Sequence, residues 1–176
     1  MSPDIPGAAR RQIVEELKGD HLRVKQAFHR FQALDPSTAA IERQALVAHV
    51  LDELTVHAAL EQELLYPALR GAPQADAEAL AAAERDHAAL HALINPLRTL
   101  KPDDSQHPAL FADLCQRALR HMKWEESRLF PGLEQTDLDW ARLEGEIDQR
   151  REELVVAEAP QIESTLPVIG STTPVM

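Results

Sequence analysis

The chain has a single cysteine, Cys115, so it can form no internal disulfide and no thiolate cluster to hold a metal. Glycine is scarce, at 6 of 176 residues, and aromatic residues make up only 4%. Sheets pack best with β-branched and aromatic side chains; alanine, leucine and glutamate prevail here, and these favour helices. Positive charge is also short: 18 Lys+Arg face 29 Asp+Glu, a formal net charge of -11. Phosphate backbones and anionic membrane surfaces attract the opposite sign, so the charge balance argues against nucleic acid and membrane as partners. No stretch approaches the roughly 18 consecutive apolar residues of a spanning helix. The opening MSPDIPGAARR lacks the apolar run of a signal peptide. The expectation is a cytoplasmic, all-α domain with one core.

Apolar residues recur at helical spacing in four long segments. The first, from about Gly7 to Leu34, carries Val14, Leu17, His21, Val24, Phe28 and Phe31 on one stripe. DPST at Asp35–Thr38 stops it and can cap the second, which extends to Leu69 with Leu46, Val50, Leu54, His57, Glu61 and Leu64 aligned. The third spans about Gln74–Leu100, with Pro96 expected to kink it or end it early. The fourth, about Pro108–Phe130, aligns Leu110, Leu114, Ala118, His121, Glu125 and Leu129. Short breaks between long helices predict an up-down-up-down four-helix bundle. A shorter C-terminal helix is expected over 137–157, striped by Trp140, Leu143, Ile147, Leu154 and Val155. It packs across the bundle or pairs with a second copy as a homodimer. Residues 158–176 lack periodicity and read as an irregular tail.

The second and fourth segments end alike. HAALEQELLYP and HMKWEESRLFP match His57, Glu61, Tyr66 and Pro67 to His121, Glu125, Phe130 and Pro131 at identical offsets. GDHLRVKQ and RDHAALHA, ahead of them, match Asp20 to Asp86, His21 to His87 and Lys25 to His91. The chain is thus two similar helical hairpins, each exposing an apolar face, and closing them together draws the histidines toward one centre. Residues four apart share a helix side, so His57 with Glu61, His87 with His91, and His121 with Glu125 all point near the interior. Buried carboxylates are costly without compensating charge, which argues for bound cations. Imidazoles with bridging carboxylates suit iron, manganese or zinc, and two shareable carboxylates suit a pair of ions. Tyr66 and Phe130 read as end-of-helix packing, with Tyr66 alternatively donating to a carboxylate. His29, His49 and His107 match no repeated position and read as surface or loop residues. Cys115 reads as a small core filler.

In these residues and their order the chain resembles the hemerythrin-like, or HHE cation-binding, family, over roughly 7–131. The resemblance implies two iron ions with an oxo or hydroxo bridge and one open coordination position. It assigns His87, His91 and His121 to one iron, His21 and His57 to the other, and Glu61 with a second carboxylate as bridges. That second carboxylate is Glu125 in the wider family spacing and Glu126 in that of the oxygen carriers. The internal repeat favours Glu125, leaving Glu126 behind the ligands or facing solvent. The implied partner is dioxygen or another small diatomic or peroxide ligand, bound for carriage, storage or sensing. A di-iron oxidoreductase acting on hydrogen peroxide or nitric oxide is the alternative, with iron homeostasis a third.

Overall fold

A computed structural model describes residues 5–35, 40–101 and 103–158, and its regular elements are all helical. They are α1 (Ile5–Ala33), α2 (Ala40–Leu60), α3 (Tyr66–Arg70), α4 (Ala77–Thr99), α5 (His107–Trp124), α6 (Phe130–Gly132) and α7 (Trp140–Glu158). Wide π-helical turns at Glu61–Leu65 and Glu125–Leu129 join α2 to α3 and α5 to α6, and a 3-10 turn, Leu133–Gln135, follows α6. Most of the DPST break and the tail from 159 onward lie outside the described residues.

The second and fourth expected helices are each interrupted by one of these π turns, at the same place in the repeat. Proline supplies the reason. Its ring would collide with the carbonyl four residues back in an unbroken α-helix, and it offers no N–H. The wider turn places Pro67 and Pro131 in the first turn of a new helix, where both features are tolerated. Tyr66 N–H instead bonds the carbonyl of Glu61, and Phe130 N–H that of Glu125. Pro96, by contrast, does not end its helix. It falls in the last turn of α4, which continues to Thr99 and closes with Leu100 N–H on Pro96 O at 2.9 Å.

Two apolar clusters form the core. One gathers Ile13, Leu17, Leu60, Leu65, Tyr66, Leu80, Ala83, Phe130 and residues of α7. The other gathers Val24, Phe28, Leu51, Leu54, Leu90, Ile94, Phe111, Leu114 and Ala118. In α1 and α4 the chain passes from the first cluster to the second, and in α2 and α5 from the second to the first. His21, His57, His87 and His121 sit at these crossings, so a polar layer lies between two apolar ones.

α1 packs on α2, α4 on α5, and α7 across α1 and α2. Trp140, Leu143 and Ile147 of α7 are buried in the first cluster, each worth about 1.5–3 kcal/mol of apolar transfer. Asp139 accepts from Arg142 N–H at 3.2 Å, consistent with a start at Trp140 rather than Asp137. Leu154 packs partly on the same cluster, but Val155, one residue further round the helix, is 56% exposed.

Candidate metal centre

Each of the four long helices delivers one buried histidine, and the four Nε2 atoms converge. His21 and His57 approach to 3.3 Å, and His87 and His121 to 2.7 Å. Glu125 spans the two pairs: its Oε1 lies 3.3 Å from His121 Nε2 and its Oε2 3.2 Å from His21 Nε2. Glu61 does likewise through Oε2, 3.4 Å from His57 Nε2 and 3.2 Å from His87 Nε2. His57, Glu61, His87, His121 and Glu125 each offer a ligand atom within 4.8 Å of the others, and His21 adjoins them. None of the six is more than 3% exposed.

His91, the seventh residue of the expected set, stands apart. It is half-buried, with Nε2 3.2 Å from Gln62 Oε1. Of the two candidate last carboxylates, Glu125 lies among the imidazoles. Glu126 lies behind His21, where one oxygen meets His21 Nδ1 at 2.8 Å and accepts from Lys25 Nζ at 2.7 Å. Lys25, which replaces a histidine in the repeat, is therefore committed to Glu126. His29 and His49 are exposed, and His107 starts α5 away from the cluster. Cys115 packs beside the second core cluster, where burial pushes its thiol up to about 12.

The outer nitrogens decide which way the rings face. His57 Nδ1 lies 3.3 Å from Asp20 Oδ2, so a proton there leaves the Nε2 lone pair aimed inward. Glu126 does the same for His21. Asp86 Oδ2 stands 3.6 Å from His121 Nδ1, too far for a hydrogen bond.

Tyr66 is the site residue that the sequence left undecided. An α-helix would turn it about 140° away from Glu61; the π turn realigns positions five apart and brings its hydroxyl back over the carboxylate. That hydroxyl shares one proton between Glu61 Oε2 at 2.9 Å and Glu125 Oε1 at 3.1 Å. Burial and the two negative charges raise its pKa far above the ordinary phenol value, keeping it a donor. Phe130, its counterpart in the repeat, instead stacks on His21, with ring centroids 5.8 Å apart. The only tell-tale in the sequence was the aromatic–proline pair five residues after each glutamate.

A family model for the hemerythrin HHE cation-binding domain matches residues 12–131. The chain belongs to that family. The crystal structure of a hemerythrin HHE cation-binding domain-containing protein from Mycobacterium kansasii is similar in fold, with a TM-score of 0.66 at 21% identity. That likeness covers 81% of this chain and 86% of the other. A search of the curated proteins finds no match.

The donor set of this hemerythrin-family chain fits cations. Without them, buried Glu61 Oε1 and Glu125 Oε2 have no hydrogen-bond partner among the described residues. Protons on the imidazoles are the available substitute. Burial opposes the charged form of His57, but the charge of Glu61, the bond to Asp20 and Glu125 outweigh it and raise its pKa well above the usual value. His121 is raised against burial by Glu125 and Glu61. Burial would raise Glu125, yet its histidine contacts hold it well below the usual carboxylate range. Bound metal would replace those protons.

Tyr66→Phe removes the hydroxyl that bonds both carboxylates while keeping the ring. The expected loss in metal-free protein is about 1–3 kcal/mol, read by urea unfolding with unchanged far-ultraviolet circular dichroism. A loss below about 0.5 kcal/mol would show that the bond contributes no net stability.

Proposed function

We propose that the chain is a non-haem di-iron protein that binds dioxygen or a related small ligand at an open iron position. The observation that carries this reading is the pair of carboxylates that reach both histidine pairs in a buried layer between two apolar ones. His87 and His121 would hold one ion and His21 and His57 the other, with Glu61 and Glu125 between them. His91 would join the first ion by giving up its contact with Gln62. The reading also takes the helices as an up-down-up-down bundle, supported by the alternating order in which α1, α2, α4 and α5 pass the two core clusters.

A bound iron pair supplies reversible electron exchange with a small ligand at a vacant coordination position. The protein's part is to orient and to keep dry. Asp20 and Glu126 hold His57 and His21 in register. Leu60, Ala83, Leu114 and Ala118 exclude water on either side. Glu126 and Phe130, which both touch His21, also line a cleft of about 310 Å³ with Arg10, Lys18 and Glu134. That cleft is the entrance this reading favours.

A second reading, an oxidoreductase acting on hydrogen peroxide or nitric oxide, draws support from Tyr66. A neutral hydroxyl held against both carboxylates can donate a hydrogen bond to an oxygen that gains charge at the centre.

Anaerobic ferrous loading, an iron count and a visible spectrum before and after air test both. A count near two, with a band that appears in air and fades on deoxygenation, is the expected outcome. Rapid, permanent oxidation together with peroxide turnover would favour the second reading. A count near zero would overturn both.

A further inference from the structure

α7 begins beyond residue 131, where the family match ends, yet it reaches the metal centre. Asp20 of α1 is 2% exposed, and three helices meet on its carboxylate. From α7, Arg151 donates through both terminal nitrogens, Nη1 to Oδ1 at 2.9 Å and Nη2 to Oδ2 at 3.1 Å. From α2, His57 Nδ1 meets Oδ2 at 3.3 Å. From α1 itself, Arg23 donates to Oδ1 while its Nε holds Glu53 at 2.9 Å.

No other histidine of the centre is supported in this way. The carboxylate behind His21 is partly exposed, Asp86 behind His121 is beyond bonding distance, and His87 Nδ1 is buried without a partner among the described residues. Arg151 Nε is likewise buried and unpartnered among the described residues, a desolvation cost accepted for the two bonds to Asp20. A bidentate guanidinium fixes the plane of the carboxylate that it grips. The Asp20 plane in turn fixes the His57 ring, and so the direction of its Nε2 lone pair.

We propose that Arg151 is a positioning residue for metal binding: through Asp20 it aligns His57, and it thereby couples the docking of α7 to occupancy of the metal centre. The inference rests on the metal-binding reading above. Coupling of this kind is reciprocal, so bound metal must also tighten α7. Apolar burial of Trp140, Leu143 and Ile147 docks α7 in any case; the arginine makes the docking sensitive to the site.

The test uses the full chain and cobalt(II), titrated against a competing chelator and followed by its visible bands. Hydrogen exchange over residues 140–158 is measured with and without cobalt. Arg151→Met is expected to weaken one of two binding steps about 10- to 100-fold, with altered bands for one ion. It should also abolish the cobalt-dependent protection of α7. Arg151→Lys, which keeps one donor, should fall between and serves if the methionine variant does not fold. Arg150→Met removes a neighbouring α7 anchor, the 2.8 and 3.2 Å bonds to Glu63, and should leave both steps within about two-fold.

Equal losses in the Arg150 and Arg151 variants would reduce the effect to general docking and overturn the proposal. So would α7 protection that ignores cobalt in the wild-type chain. If the wild-type chain binds no cobalt, the metal-binding reading falls first, which is a different result from cobalt binding that Arg151 does not influence.

Discussion

If the centre holds two ions as proposed, Glu125→Ala is expected to bring the metal count to at most one; it should also cost the metal-free protein about 3–5 kcal/mol near pH 6. The carboxylate is fully buried and stands within 3.7 Å of three imidazoles, His21, His57 and His121, besides accepting from Tyr66. Removing one partner of a buried charged set leaves the others uncompensated, which costs more than the set itself contributes. The pH dependence of the loss is diagnostic. Without Glu125, His57 and His121 lose a negative charge that supports their protonated forms. They can then shed protons, so the penalty should shrink by pH 8.5. Glu126→Ala removes the partner of the buried His21 Nδ1 but not a group among the converging imidazoles, and should cost only about 1–2 kcal/mol and leave the metal count unchanged. Iron analysis and urea unfolding at the two pH values decide it. Equal effects of the two alanine variants would remove Glu125 from its central place.

Metal-free protein should lose stability as pH rises above 6.5, and metal-loaded protein should not. The raised pKa values of His57 and His121 contribute stability that is fully present below 6.5 and is lost as pH rises through their folded values. Glu125 and Asp20 are depressed in the fold. Their contributions are present above 4.5 and 3.8 and are lost as pH falls. Burial works against the charged form of Asp20, but His57 and Arg151 bring it down to about 2, worth about 2 kcal/mol. Together these groups place the stability maximum of the metal-free chain between pH 4.5 and 6.5. Cations must displace the Nε2 protons, so their affinity rises with pH. At free metal 100 times the dissociation constant they add about 2.7 kcal/mol. Urea unfolding at pH 5.5 and 8.5, with and without ferrous iron under argon, should show the metal-free chain weaker at pH 8.5 and the loaded chain at least as strong. A metal-free chain that strengthens above pH 6.5 would contradict protonated imidazoles at the centre.

Local periodicity carried most of what the letters determined. The all-helical class follows from three-four spacing and from alanine-rich composition, because a helix buries one stripe whatever its neighbours are. His21, His57, Glu61, His87, His121 and Glu125 could be singled out because each lies on such a stripe at a position where a polar side chain is otherwise penalised. The repeat favoured Glu125 over Glu126, and the two lie on different sides of His21 in the fold.

What the letters left open depends on a change of helix pitch or on contacts between distant segments. The π turns shift every later side chain round the axis, and so decide that Tyr66 bonds the carboxylates while Phe130 faces a ring. Strict α-helical spacing places His91 one turn beyond His87, yet in the fold its Nε2 meets Gln62 rather than the cluster. Arg151 lies 131 residues from Asp20, and no periodicity links them. Their pairing exists because α7 packs across α1 and α2, a choice made by the whole core rather than by any one stretch of chain.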